Sequence, residues 1–155
     1  MNYGSPNIKA LIILFLTSLS VMAEDSRFIK SFHVSTNLCL VISEGEKEWR
    51  SQGSYTIRLH DWVDDKRLPA GEFYSGLVRP RDGTLENVFF IDVDGDGKKD
   101  VIVTIRVVGT GAYQSADAFK IQGQELTLLA HVQNLDPLAN VVTALKKQLN
   151  IKQKP

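Results

Sequence analysis

From Arg27 to Val132 the chain alternates short apolar runs with polar turns. The runs are RFIKSFHV (27–34), LCLVIS (38–43), SYTIRLH (54–60), EFYSGLVRP (72–80), LENVFFID (85–92), DVIVTIRVV (100–108), YQSADAFKI (113–121) and LTLLAHV (126–132). They are rich in Val, Ile, Leu, Phe, Tyr and Thr. Several alternate with period two, as strands with one face in a core do. This predicts an all-β domain, an antiparallel β-sandwich or barrel-like sheet of about eight strands. Asp82-Gly83 reads as a hairpin turn, because both central residues of such a turn need positive φ. Gly123 reads as a second one. Past residue 135 the period changes. Leu138, Val141, Val142, Leu145 and Leu149 fall on one helical face, with Asp136 as a cap and Pro137 in the first turn. One C-terminal amphipathic helix laid over the sheet is the expectation.

The first residues do not share this pattern. Lys9, the apolar run ALIILFLTSLS and the small residue Ala23 follow the order of a secretory leader. The run is also shorter than the roughly 20 residues that cross a bilayer. Residues 1–23 are therefore expected to be a cleaved signal peptide and 24–155 a single domain, with no membrane attachment after cleavage. That domain is long enough to bury a core without staples. Its single cysteine, Cys39, sits in an apolar run and reads as a buried, inert thiol. Export without disulfides suits a periplasm. The formal net charge is zero, and loss of Lys9 makes it slightly negative. Nothing in this balance points to nucleic acid.

Chemistry-bearing patterns are few. His33, His60 and His131 are scattered among strands without metal-ligand spacing. There is no nucleophile elbow and no phosphate-cradling loop. The chain is therefore not read as an enzyme. The sharpest motif is DVDGDGKKD (92–100). Asp92, Asp94, Asp96 and Asp100 with Gly97 match the first part of a calcium loop, in which alternate carboxylates converge on a hard cation. Position twelve is Val103 instead of a bidentate Glu, and the flanks read as strands. The alternative is a turn whose Asp side chains bond neighbouring backbone amides. A structural calcium held by Asp92, Asp94, Asp96 and Asp100 is one reading. It would make the chain a secreted calcium-binding β module for adhesion or glycan binding. Otherwise no cofactor is required.

The second motif is GTGAY, Gly109, Thr110, Gly111, Ala112 and Tyr113, between two strand runs. Its glycines permit a tight, slender turn. Thr110 and Tyr113 would project from it, and tyrosine offers a large rigid surface with a hydrogen-bonding end. A plain hairpin with a threonine at its tip accounts for the same residues.

Four segments, GSYTIRL (53–59), AGEFYSGLVRPRDG (70–83), DVDGDGKKDVIVTIR (92–106) and GTGAYQSADAF (109–119), together resemble the bacterial periplasmic inhibitors of invertebrate-type lysozyme. The resemblance implies an all-β inhibitor that binds lysozyme and blocks its active-site cleft. In that family the inhibitory loop carries a Ser-Gly-Ser-Tyr pattern, whose first Ser and Tyr enter the cleft. The matching residues here are Thr110, Gly111, Ala112 and Tyr113, so a threonine and an alanine replace the two serines. Invertebrate-type lysozyme is then the expected partner, the periplasm the expected location, and a homodimer is left open. Arg79, Arg81 and Trp62 are candidates for further contacts by residue type alone.

Overall fold

In a computed structural model, which describes residues 27–64 and 70–152, eight strands and one helix follow in order. They are β1 (Ile29–Ser35), β2 (Leu38–Glu44), β3 (Gly53–Trp62), β4 (Ala70–Arg81), β5 (Thr84–Ile91), β6 (Asp100–Arg106), β7 (Gln114–Gln122), β8 (Glu125–Leu135) and α1 (Val141–Lys152). The expected leader, residues 1–23, lies outside the described residues.

The strands form two antiparallel four-stranded sheets, β1-β2-β3-β4 and β5-β6-β7-β8. Each is a simple meander, so every ladder joins neighbours in sequence. Between them lies one core: Leu40, Ile42, Tyr55, Ile57 and Leu59 from the first sheet, and Leu85, Val88, Val101, Val103, Ile105, Phe119 and Leu126 from the second. The two-residue period places these side chains on one face, and in β5 the register shift between Leu85 and Asn87 brings Leu85 and Val88 to the same side.

The second sheet is covered on both sides. Its outer face carries Ile102, Ala116, Ala118 and Ala130, against which α1 packs Leu145 and Leu149. The three alanines leave room for a helix to lie close. This is why the run Val101–Ile105 is apolar at nearly every position instead of alternating: β6 is buried on both faces. Cys39 is fully buried and unpaired, and burial pushes its thiol pKa up.

Two expectations need correction. Asp82-Gly83 does not close a hairpin, because β4 and β5 belong to different sheets and the turn carries the chain from one to the other. Gly83 is still required. Its φ is 117°, and a Cβ there would lie 2.0 Å from the Arg106 carbonyl oxygen. Gly123 does close the β7–β8 hairpin, with Gln122 opposite Glu125. The helix starts at Val141, later than Asp136-Pro137 suggested. Asn140 Oδ1 accepts the Thr143 amide at 3.0 Å and is the cap. Asp136 instead accepts the Leu138 amide within a preceding turn, and Leu138 is exposed.

The topology sorts the connections by end. Leaving β2, β4, β6 and β8 at one end are the segments 45–52, 82–83, 107–113 and 136–140. At the other end lie the β1–β2 turn, the Asp-rich β5–β6 turn and the β7–β8 hairpin.

Candidate functional site

The segment 107–113 leaves the β6–β7 ladder after its last pair, Arg106 with Gln114. Its neck is closed by the Val107 amide donating to the Tyr113 carbonyl at 2.9 Å. Within it the Ala112 amide donates to the Gly109 carbonyl at 3.4 Å. Ala112 adopts φ 43°, a left-handed conformation that costs a non-glycine residue roughly 1–2 kcal/mol. The surroundings must hold it there.

Two side chains at the neck do so. Arg106 Nη1 donates to the Ala112 carbonyl at 3.0 Å. Its Nε and Nη2 form a two-pronged pair with Glu86 of β5, at 2.8–3.2 Å. On the other arm Gln114 is buried, and its Nε2 reaches the carbonyls of Asp136, Pro137 and Ala139 at 3.0–3.3 Å. The neck is thus tied to β5 on one side and to the β8–α1 connection on the other.

Beyond the neck the loop is exposed and carries no charge. Val108 is 55% and Tyr113 49% exposed, and Thr110 lies on the surface. The Tyr113 ring lies over Gly111, where a Cβ would come within 2.5 Å of it. The residues expected to act together, Gly109 to Tyr113, therefore do form one slender exposed tip.

A second segment stands at the same end. The loop 45–52 is fastened from below by Arg81, which is 1% exposed. Its guanidinium donates to the carbonyls of Ser54 (3.0 Å), Arg50 (3.1 Å), Trp49 (3.2 Å) and Gly83. Glu48 accepts the Ser54 hydroxyl at 2.7 Å and the Ser54 amide, and these bonds hold its carboxyl below the ordinary value. Nearby Glu44, also buried, accepts the Leu85 amide at 2.7 Å, tying β2 to β5.

Arg79 and Trp62, considered as contacts by residue type, are engaged elsewhere. Trp62 stacks on His33 at the opposite end of the sandwich, centroids 4.3 Å apart. Arg79 pairs with Asp117 through Nε and Nη2, both at 3.1 Å. Asp117 is fully buried. It also accepts the Tyr55 hydroxyl at 2.5 Å and lies 2.7 Å from His131 Nδ1. Burial first, then the Asp117 charge, pushes the Tyr55 phenol far up, so it remains a donor. This cluster joins β3 and β4 to β7 and β8. Each carboxylate oxygen already has two partners, which leaves no reactive lone pair for a substrate.

The Asp-rich turn lies at the end away from 107–113. Carboxylate oxygens of Asp92, Asp94 and Asp100 lie within 4.8 Å of one another. Asp92 accepts the amides of Gly95 and Gly97, Asp94 that of Asp96, Asp96 that of Lys98, and Asp100 that of Val93. The Lys120 ammonium sits 2.5 Å from Asp94 and 2.6 Å from Asp96, and these contacts raise its pKa. Burial raises the Asp100 carboxyl. Asp96 is not part of that group of three, so the four aspartates do not converge as one set among the described residues.

Residues 26–149 match the family model described as periplasmic lysozyme inhibitor of I-type lysozyme, PliI. The chain belongs to this family. Its members are inhibitors of lysozyme, not enzymes, and are periplasmic. The crystal structure of PliI from Aeromonas hydrophila matches with a TM-score of 0.69 at 36% identity, over 76% of this chain and 98% of that one. The structure of A. hydrophila PliI in complex with Meretrix lusoria lysozyme matches with a TM-score of 0.68 at 35% identity, over 77% and 95% of the two chains. No curated protein sequence matches the chain.

The sequence reading missed the residues that hold the PliI loop, Arg106, Glu86 and Gln114. Arg106 and Gln114 stand at strand ends, where the two-residue period no longer separates core from surface. Only the charge of Arg106, set between branched apolar residues, was a signal.

Proposed function

We propose that this PliI chain inhibits I-type lysozyme by placing Gly109, Thr110, Gly111, Ala112 and Tyr113 in the enzyme's active-site cleft, protecting peptidoglycan. The observation that carries the reading is the loop itself, a narrow uncharged tip on a neck braced by Arg106 and Gln114. By resemblance it stands where the family carries its Ser-Gly-Ser-Tyr pattern, with Thr110 and Ala112 in place of the two serines. A lysozyme cuts glycan with two carboxyl groups flanking the scissile bond. The Thr110 hydroxyl and the Tyr113 phenol are donors of the right kind for them, each bond contributing roughly 1.5–3 kcal/mol. Gly109 and Gly111 keep the tip thin enough for the backbone to approach. No bond is made or broken. The loop occupies the space of the sugar.

Bracing matters because a loop already in its bound shape loses little entropy on binding. The threonine in place of serine keeps the donor and adds a methyl group. No cofactor enters this reading, since the Lys120 ammonium supplies a positive charge inside the Asp-rich turn. On this account the signal peptide is cut after Ala23 and the mature chain works in the periplasm.

The test is inhibition of I-type lysozyme by Tyr113→Ala and Thr110→Ala. Loss of a central aromatic anchor weakens inhibition by about 30-fold or more, and loss of the threonine hydroxyl by about tenfold. Both variants keep the parent melting temperature. Wild-type potency in both would remove the loop from the mechanism.

A further inference from the structure

We propose that Trp49 is a second anchor on lysozyme, gripping the enzyme surface beside the cleft that receives the 107–113 loop. This rests on the function proposed above and names a contact that loop cannot supply. A stable inhibitor interface buries about 800 Å² on each partner, more than one five-residue tip offers. Additional surface must come from the same end of the sandwich.

Trp49 is 79% exposed, the largest apolar side chain presented there. It lies in 45–52, which leaves β2 at the end where 107–113 leaves β6. The two are linked through a short physical path. Arg81 donates to the Trp49 carbonyl through Nη2, and through Nη1 to the carbonyls of both Arg50 and Gly83. Gly83 in turn lies against the Arg106 carbonyl and Val107 Cα, the start of the inhibitory loop.

An exposed indole on a loose loop would be unremarkable. This one is on a held backbone. Besides Arg81, the Gly45 amide donates to the Ser54 carbonyl at 2.9 Å, and Glu48 takes both the hydroxyl and the amide of Ser54. Gly53 is needed for that closure, since a Cβ there would sit 2.2 Å from Glu48 Oε2. A tryptophan whose backbone is fixed before binding has the properties of an interface hot spot: large apolar area with few torsions to freeze. Its indole N–H also gives it a donor for a polar rim.

The experiment compares the mature wild type with Trp49→Ala, Tyr113→Ala and Phe73→Ser in binding to I-type lysozyme. Phe73 is an exposed aromatic of β4 at the opposite end. In parallel, 5-fluorotryptophan is incorporated at Trp49 and Trp62 and its fluorine resonances are followed as unlabelled lysozyme is added. The expected result is a dissociation constant about tenfold or more weaker for Trp49→Ala, mainly through faster dissociation. Phe73→Ser binds as wild type, and the Trp49 resonance shifts while that of Trp62 stays. Wild-type binding by Trp49→Ala with an unmoved resonance, while Tyr113→Ala is impaired, would overturn the anchor and leave the loop mechanism standing. Impaired Trp49→Ala beside unimpaired Tyr113→Ala would support the anchor and count against the loop.

Discussion

The buried tie between the two sheets gives a quantitative test through Tyr55→Phe. Tyr55 is fully buried, and its hydroxyl donates to Asp117 Oδ2 at 2.5 Å. Its ring meets Phe119 edge-on with centroids 6.5 Å apart, a contact that phenylalanine preserves. The substitution therefore opens no cavity and removes one hydrogen bond to a buried carboxylate. Such a bond contributes roughly 1.5–3 kcal/mol. Asp117 keeps both bonds from Arg79 and its contact with His131, which places the expected loss near 2 kcal/mol. For a domain of this size that is a fall of about 5–10 °C in melting temperature. In urea it is a midpoint lower by about 1 M with unchanged slope. The variant, while folded, inhibits as the wild type does, because the tie lies behind the loop. A loss below about 0.5 kcal/mol would refute the view that Asp117 needs this donor. Unfolding followed by circular dichroism, with inhibition assayed below the transition, reads both.

Gly111→Ala puts a Cβ within 2.5 Å of the Tyr113 ring and turns the phenol away; inhibition should fall about tenfold while the melting temperature holds. Acid should loosen the Trp49 loop. The Ser54 amide and hydroxyl keep the Glu48 carboxyl below its ordinary 4.5, so its stabilisation is complete above that pH and is lost as pH falls through the lowered folded value. Protection factors of the amides at 45–54, measured between pH 6 and 3, should fall selectively at the low end; equal protection throughout would contradict this. Calcium at millimolar concentration should leave the wild-type melting temperature where a chelator leaves it, whereas Lys120→Met should lower it; a clear calcium-dependent rise in the wild type would instead favour an ion at Asp92, Asp94 and Asp100.

The strands could be read from the chain because a two-residue period survives wherever one face is buried and the other is not. Even β6, buried twice, announced itself through unbroken branched residues. The period says nothing about which strands share a sheet, so Asp82-Gly83 read as a hairpin when it is the step between sheets. Local turn chemistry is the same in both cases. Competition among caps moved the helix start: Asp136, Pro137 and Asn140 are each acceptable, and the hold of Gln114 on the carbonyls of Asp136, Pro137 and Ala139 keeps the first two in a turn. The tip of the candidate site was visible as glycines around a threonine and a tyrosine. Its supports were not. Arg81 looked like a surface contact by type, yet it is buried beneath Trp49, and no local pattern reveals a side chain that satisfies four backbone carbonyls.

The most direct test is a crystal structure of the mature chain bound to I-type lysozyme. The expected result has residues 109–113 inside the substrate cleft, with the Thr110 hydroxyl and Tyr113 phenol within hydrogen-bonding distance of the enzyme's paired carboxyl groups. A complex in which that tip faces solvent, with the cleft open or filled by another part of the sandwich, would contradict the account.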